Sequence, residues 1–208
     1  MTRSWHGVLA AFIAFALVGQ ISLTFTDDRS LVNLLSFFTI QSNILILIAS
    51  AAIAIRPERE GTGWTILRLA GLVGITVTGI VYATVLAGSA DFSGIEWWYD
   101  KIFHYLAPLG AMLGFFLFRP RTRFARSDLM FVAWPIAWLA YTLIRGGISN
   151  PGFAGANGAS SAYPYDFLNV DTYGAGRVTI NAVVITLLML GIAALYVRFS
   201  RRSANQLS

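Results

Sequence analysis

Cysteine is absent from the 208 residues, which removes disulfides, thiolate nucleophiles, iron–sulfur clusters and cysteine-ligated metals together. Charge is scarce as well. Only 12% of the residues are charged and 56% are hydrophobic, against roughly 25% charged in soluble domains. Most of the surface therefore faces something other than water. A single large buried core does not explain the pattern, because the charges sit in short clusters between apolar runs each long enough to cross a ~30 Å hydrocarbon layer. The net charge of +5 does not mark a nucleic-acid binder: there is no separate basic domain, and the arginines flank the apolar runs, where they face lipid headgroups. Histidine occurs only twice, as His6 and His104. No internal repeat suggests the inverted halves of a secondary transporter.

What is present is a series of six apolar runs, at about 5–25, 31–55, 64–86, 97–118, 129–144 and 178–197. Backbone in lipid must satisfy its own hydrogen bonds, so each run predicts a helix. The expected fold is all-α: one polytopic membrane domain over 1–198, a six-helix transmembrane bundle, with a polar tail at 199–208. The first run lacks a small-x-small cleavage site and reads as a retained anchor. Arg3, Arg56, Arg59, Arg68, Arg119, Arg121, Arg123, Arg126, Arg198, Arg201 and Arg202 fall on one side of the spans, and Arg29, Lys101, Arg145 and Arg177 on the other. Eleven against four places the first side in the cytoplasm by the positive-inside rule. Both termini are then cytoplasmic, and the expected location is the plasma (inner) membrane, with membrane lipids as surroundings.

Gly110-x-x-x-Gly114 and Ala70-x-x-x-Gly74 are small-x-x-x-small patterns that let helices approach closely. The last outer connection, rich in Gly, Ala, Ser and Asn, turns aromatic at Tyr163-Pro164-Tyr165-Asp166-Phe167-Leu168, which predicts a segment folded back over the outer mouth.

Polar groups inside spans are costly, so they are where function is sought. Ser36, Thr39, Ser42 and Asn43 recur at spacings of three and four and share one helix face. The structural reading of Ser36, Ser42 and Asn43 is hydrogen bonding between helices. His104 has Asp100 four residues before it, on the same face, where the carboxylate can hold one ring nitrogen and set the tautomer. Pro108 lacks the N–H that would bond the His104 carbonyl, predicting a bend beside the imidazole. Thr39 and His104 both belong to the outer half. A threonine hydroxyl beside a histidine base is the minimum covalent hydrolase pair; a packing role for the histidine is the alternative. His6, at the opposite end, reads as interfacial, and the separation of the two histidines argues against a metal site or haem. Tyr141 and Arg145, one turn apart in the fifth span, and Arg177 are candidates to hold a substrate carboxylate, or to snorkel to lipid phosphate.

Taken in order, Ser36-Phe37-Phe38-Thr39-Ile40-Gln41-Ser42-Asn43, then Asp100-x-x-x-His104 with Pro108, then Tyr163-Pro164-Tyr165-Asp166-Phe167-Leu168 and Gly174-Ala175-Gly176-Arg177 make a pattern that resembles the androgen-induced-gene-1-like family over nearly the whole chain. Animal members of that family are multi-pass membrane proteins that hydrolyse fatty acid esters of hydroxy fatty acids with a threonine nucleophile and a histidine. The resemblance implies that Thr39 is the nucleophile and His104 the base, with no cofactor and a lipid ester as substrate. Gln41-Ser42-Asn43 looks like a feature of a bacterial branch, and the insertion at 150–161 departs from the animal pattern.

The expected function is thus an intramembrane threonine-dependent lipid esterase, with Thr39 and His104 catalytic and Asn43, Asp100, Tyr141 and Arg145 supporting or binding substrate. Asn43 and Tyr141 are the candidate oxyanion stabilisers. A membrane binding or transport protein, with these polar groups lining a path, is the alternative, although the cytoplasmic half offers few polar groups to continue such a path.

Overall fold

The computed structural model describes residues 1–88, 92–154 and 160–202. The last residues of the expected tail, 203–208, and the middle of the 150–161 insertion lie outside them. Helices dominate: α1 (Thr2–Thr26), α2 (Leu31–Ser36), α3 (Phe38–Ile55), α4 (Thr62–Val81), α5 (Gly94–Lys101), α6 (Ala107–Leu117), α7 (Ala133–Ser149) and α8 (Val170–Arg202). Two π turns, Tyr82–Leu86 and Ile102–Leu106, extend α4 and join α5 to α6. Two 3-10 turns, Arg126–Val132 and Asp166–Leu168, lead towards α7 and α8. The exception to helix is a two-residue antiparallel ladder, Phe153–Ala154 with Ser160–Ser161.

Five helical stretches among the described residues are long and apolar enough to cross a membrane: Thr2–Thr26, Phe38–Ile55, Thr62–Leu86, Arg126–Ser149 and Val170–Arg201. Large apolar side chains such as Phe15, Val18, Ile136 and Leu187 stand exposed around the bundle. That surface is the mark of a membrane protein. The second expected run is not one helix, since it breaks at Phe37 into α2 and α3. The fourth is helical throughout from Gly94 to Leu117 but changes winding at the π turn. Pro108 explains that change, because it has no N–H for the His104 carbonyl; the Ala107 N–H bonds Ile102 instead, five residues back. The helix of the sixth run, α8, continues to Arg202, five residues beyond the expected end of that run, and is kinked at Gly174 (φ 73°, ψ 157°).

The most buried span is α4, packed by α3, α6, α8 and the Arg126–Val132 turn, while α1 packs on α3 and α6. At one end of the bundle the Thr2 hydroxyl donates to the Arg119 carbonyl, and the Phe124 N–H donates to Ser200 Oγ. The start of α1 and the end of α8 therefore meet at the same loop. At the opposite end Arg29 bridges to Glu96, and Asn33 Nδ2 donates to the Pro151 carbonyl.

Two residues near span ends are buried. His6 lies inside the bundle, with Nδ1 3.4 Å from Ser50 Oγ. Arg68, counted with the flanking cations, is 2% exposed. Both lie near span ends in the chain, but their side chains point inward.

The Gly110-x-x-x-Gly114 motif faces α1. The Gly110 carbonyl accepts from Trp5 Nε1 at 3.0 Å, and a methyl group at Gly114 would lie 3.0 Å from both His6 and Trp5. Gly114→Val is expected to force these two rigid rings away and to lower unfolding free energy by about 1–3 kcal/mol, read as a reduced thermal midpoint in detergent. An unchanged midpoint would mean that the α1–α6 contact is looser than this.

Candidate active site

Phe37 is extended (φ −70°, ψ 129°) between α2 and α3. The carbonyls ending α2 and the N–H groups opening α3 consequently lose helical partners. Away from water such groups need substitutes, and side chains provide them. Gln41 Nε2 donates to the Leu35 carbonyl at 3.0 Å, and Trp138 Nε1 donates to the Ser36 carbonyl at 2.9 Å. The Thr39 N–H donates to Tyr165 Oη at 3.1 Å. The break thus puts Thr39 in the first turn of a helix that begins inside an apolar span.

The Thr39 hydroxyl has two neighbours: His104 Nε2 at 3.3 Å and Tyr165 Oη at 3.2 Å. The other ring nitrogen, Nδ1, lies 2.9 Å from Asp100 Oδ1 and 3.0 Å from the Asp100 carbonyl. A carboxylate and a carbonyl only accept, so Nδ1 carries the proton. Nε2 then presents its lone pair to the threonine hydroxyl. This arrangement follows from the π turn, which places His104 one turn after Asp100 and directs the imidazole at Thr39.

Asp100 is buried, its side chain 3% exposed. Its Oδ2 accepts from Tyr82 Oη at 2.5 Å and from Lys101 Nζ at 2.9 Å. The Tyr82 ring stacks on the His104 ring, with centroids 3.9 Å apart and planes 14° apart. The Lys101 ammonium sits over the rings of Tyr82, Trp97 and Tyr105 at 5.4–5.5 Å. Oδ2 is therefore paired with a cation and a phenol donor, and Oδ1 faces the imidazole Nδ1.

Tyr165 is held by aromatic neighbours: it stacks on Phe167 and meets Phe37 and Trp138 edge-on. Burial pushes its phenol above the ordinary value, against the opposing effect of the Thr39 hydrogen bonds, so it remains an O–H donor. Thr39 and Tyr165 stand in the wall of a small open cavity of about 80 Å³. Its remaining walls are apolar side chains of α4, α7 and α8 such as Val77, Leu139, Ile185 and Met189, with the hydroxyls of Thr78 and Thr186. No charged residue lines it.

The structure brings together Thr39, His104 and Asp100. Asn43 lies beneath them, its Nδ2 donating to the carbonyls of Thr39 (2.9 Å) and Phe103 (3.3 Å). Both amide hydrogens are used, so Asn43 ties α3 to the π turn, and it is not among the residues lining the cavity. Tyr141 and Arg145 lie elsewhere: Tyr141 Oη is 3.1 Å from Ser36 Oγ, and Arg145 donates to Ser36 Oγ (3.1 Å) and Asn33 Oδ1 (2.7 Å). They brace α2 against α7. Arg177 is exposed on α8. Sequence reasoning did not single out Tyr82, Lys101 or the Tyr165 hydroxyl as site groups; for Tyr165 the signal was its aromatic segment in a polar loop. Among the described residues no three His, Asp or Glu side chains gather as a metal site would require.

No family model, curated protein or solved structure matches the chain. The geometry is what supports a function.

Trp138→Phe keeps the ring near Phe38 and Tyr165 but leaves the Ser36 carbonyl without its donor. A loss of about 1–3 kcal/mol is expected for an orphaned buried acceptor, measured by reversible unfolding in mixed micelles. Wild-type stability in this variant would show that the α2 terminus is satisfied in some other way.

Proposed function

We propose that the protein is an intramembrane threonine-dependent esterase acting on a lipid ester. The observation that carries this is the Thr39–His104–Asp100 relay, with the imidazole tautomer set so that Nε2 accepts from the threonine. The reading agrees with the resemblance to the androgen-induced-gene-1-like family and with its substrates, fatty acid esters of hydroxy fatty acids. The apolar, uncharged cavity fits an acyl chain reaching it sideways from the outer leaflet.

In the first half-reaction Thr39 Oγ1 bonds to the ester carbon as its proton passes to His104 Nε2. Asp100 stabilises the imidazolium that forms. The C–O bond to the leaving alcohol then breaks, and Nε2 returns the proton to that oxygen. In the second half, water gives its proton to Nε2, adds to the acyl-threonine and releases the fatty acid, restoring the hydroxyl.

Six spans, with both termini cytoplasmic in the inner membrane, complete the reading. Three observations support it. The backbone is helical from Gly94 to Leu117, about 36 Å at ~1.5 Å per residue, enough for a sixth crossing. The start of α1 and the end of α8 share one loop, as an even number of crossings requires. With Arg68 set aside as buried, the cations still favour that end, ten against four.

Reporters fused to each terminus are expected to show both in the cytoplasm; opposite sides would refute six spans. Purified protein in liposomes is expected to hydrolyse a lipid ester and to react with a fluorophosphonate probe. Thr39→Ala abolishes both, and His104→Ala lowers both by about 10²–10⁴-fold. Asp100→Asn has a smaller effect, because it orients the ring without touching substrate. Undiminished hydrolysis by folded Thr39→Ala excludes the covalent route, and an inert parent protein turns the reading to binding or transport.

A further inference from the structure

We infer that the Thr39 N–H and the Tyr165 hydroxyl are the oxyanion-binding donors of this site, closed on each other while no ester is bound. The inference rests on the proposed esterase and supplies the one component that neither Asn43 nor Tyr141 provides. A tetrahedral intermediate on Thr39 places its alkoxide beside both Oγ1 and donors at 2.7–3.1 Å. Tyr165 Oη already occupies such a position, 3.2 Å from Thr39 Oγ1 and 3.1 Å from Thr39 N. It behaves as an oxygen standing where the substrate's carbonyl oxygen goes.

Three features make the pair suited to the role. Thr39 is the second residue of α3, an 18-residue helix, so its N–H has no partner within the helix and carries the positive end of the helix dipole. The break at Phe37 is what makes this N–H available at the start of the Phe38–Ile55 span. Tyr165 is fixed by Phe167, Phe37 and Trp138, so the hydroxyl moves by a small swing of its ring while its segment stays packed. Thr39 and Tyr165 share the wall of the same cavity, which puts the donors on the substrate's side.

During turnover the ester oxygen enters between the two donors. As the bond from Oγ1 to the ester carbon forms, the carbonyl π pair moves onto that oxygen. The Thr39 N–H redirects from Tyr165 Oη to it, and the Tyr165 O–H redirects from Thr39 Oγ1 to it. Both donors turn back when the C–O bond of the leaving alcohol breaks and the carbonyl re-forms.

The test compares an oxygen ester with the matching thionoester, in which sulfur replaces the carbonyl oxygen and accepts hydrogen bonds poorly. Full-length parent protein in liposomes is expected to prefer the oxygen ester strongly. Tyr165→Phe is expected to lower kcat on the oxygen ester by about 10²–10³-fold with KM little changed, and to reduce the preference over the thionoester. A packing role for Tyr165 would slow both substrates equally. That result, or a kcat within about twofold of the parent, overturns the inference while leaving Thr39 and His104 in place. Should Tyr165→Phe not fold, equal rates of the parent on the two substrates overturn it as well. A parent that hydrolyses neither ester removes the esterase reading and this inference with it.

Discussion

An interrupted helix in hydrocarbon must find partners for the backbone groups it frees, and the break at Phe37 imposes that requirement on much of the bundle. Where such groups are shut away from water, each one left unpaired costs several kcal/mol. The partners come from three directions: Gln41 from α3 itself, Trp138 from α7, and Tyr165 from the segment before α8. Elements distant in sequence are thereby held to one point. Gln41 is held in turn by Trp134 Nε1 at 2.9 Å, so α7 grips the break twice. The same interruption that endangers the span gives it a helix N-terminus at Thr39. Stability and chemistry here share their residues.

Asp100 poses the second problem, a carboxylate 3% exposed inside an apolar bundle. Taking away one partner of such a buried charge costs about 3–5 kcal/mol, far more than the ~0–1 kcal/mol of exposed pairs such as Arg29–Asp27. Lys101 and Tyr82 both hold Oδ2, which leaves Oδ1 facing the imidazole. Two π turns bring these groups into register. Tyr82 opens one, His104 sits in the other, and their rings stack. Regular α-helical winding would carry each side chain round by a different angle, so the wider turns position the relay.

The apolar runs and the shared face of Thr39, Ser42 and Asn43 were legible in the sequence, because helical period and hydropathy depend on residues close in the chain. So was the pairing of Asp100 with His104 at i and i+4. The break at Phe37 was not legible: Leu31-Val32-Asn33-Leu34-Leu35-Ser36-Phe37-Phe38 holds no proline or glycine, and the interruption is sustained by Trp138 and Tyr165, more than a hundred residues away. Pro108 announced a bend, but its form as a π turn depends on which carbonyl the next free N–H reaches. For His6 and Arg68 the sequence left the side-chain direction open. Position near a span end says how deep a residue lies, not which way its side chain points, and both point inward. Tyr141 and Arg145 shared the outer end with the site, yet their hydrogen bonds go to Ser36 and Asn33.

A threonine at position 39 suits the proposed role better than a serine would. A β-branched side chain is stiff about χ1, and in the first turn of α3 the Thr39 methyl restricts the hydroxyl to the direction shared by His104 Nε2 and Tyr165 Oη. A hydroxyl free to rotate would also find the carbonyls of the preceding turn, as Ser36 does with Val32 and Ser42 with Phe38. In an apolar bundle such local bonds are the default for small hydroxyls, because no water competes for them. Thr39 lies just after the break, where no preceding helical turn stands in register to accept its hydroxyl. The extended residue at Phe37 thus does two things for Thr39: it frees the N–H, and it denies the hydroxyl the intrahelical carbonyl that would otherwise hold it away from the histidine.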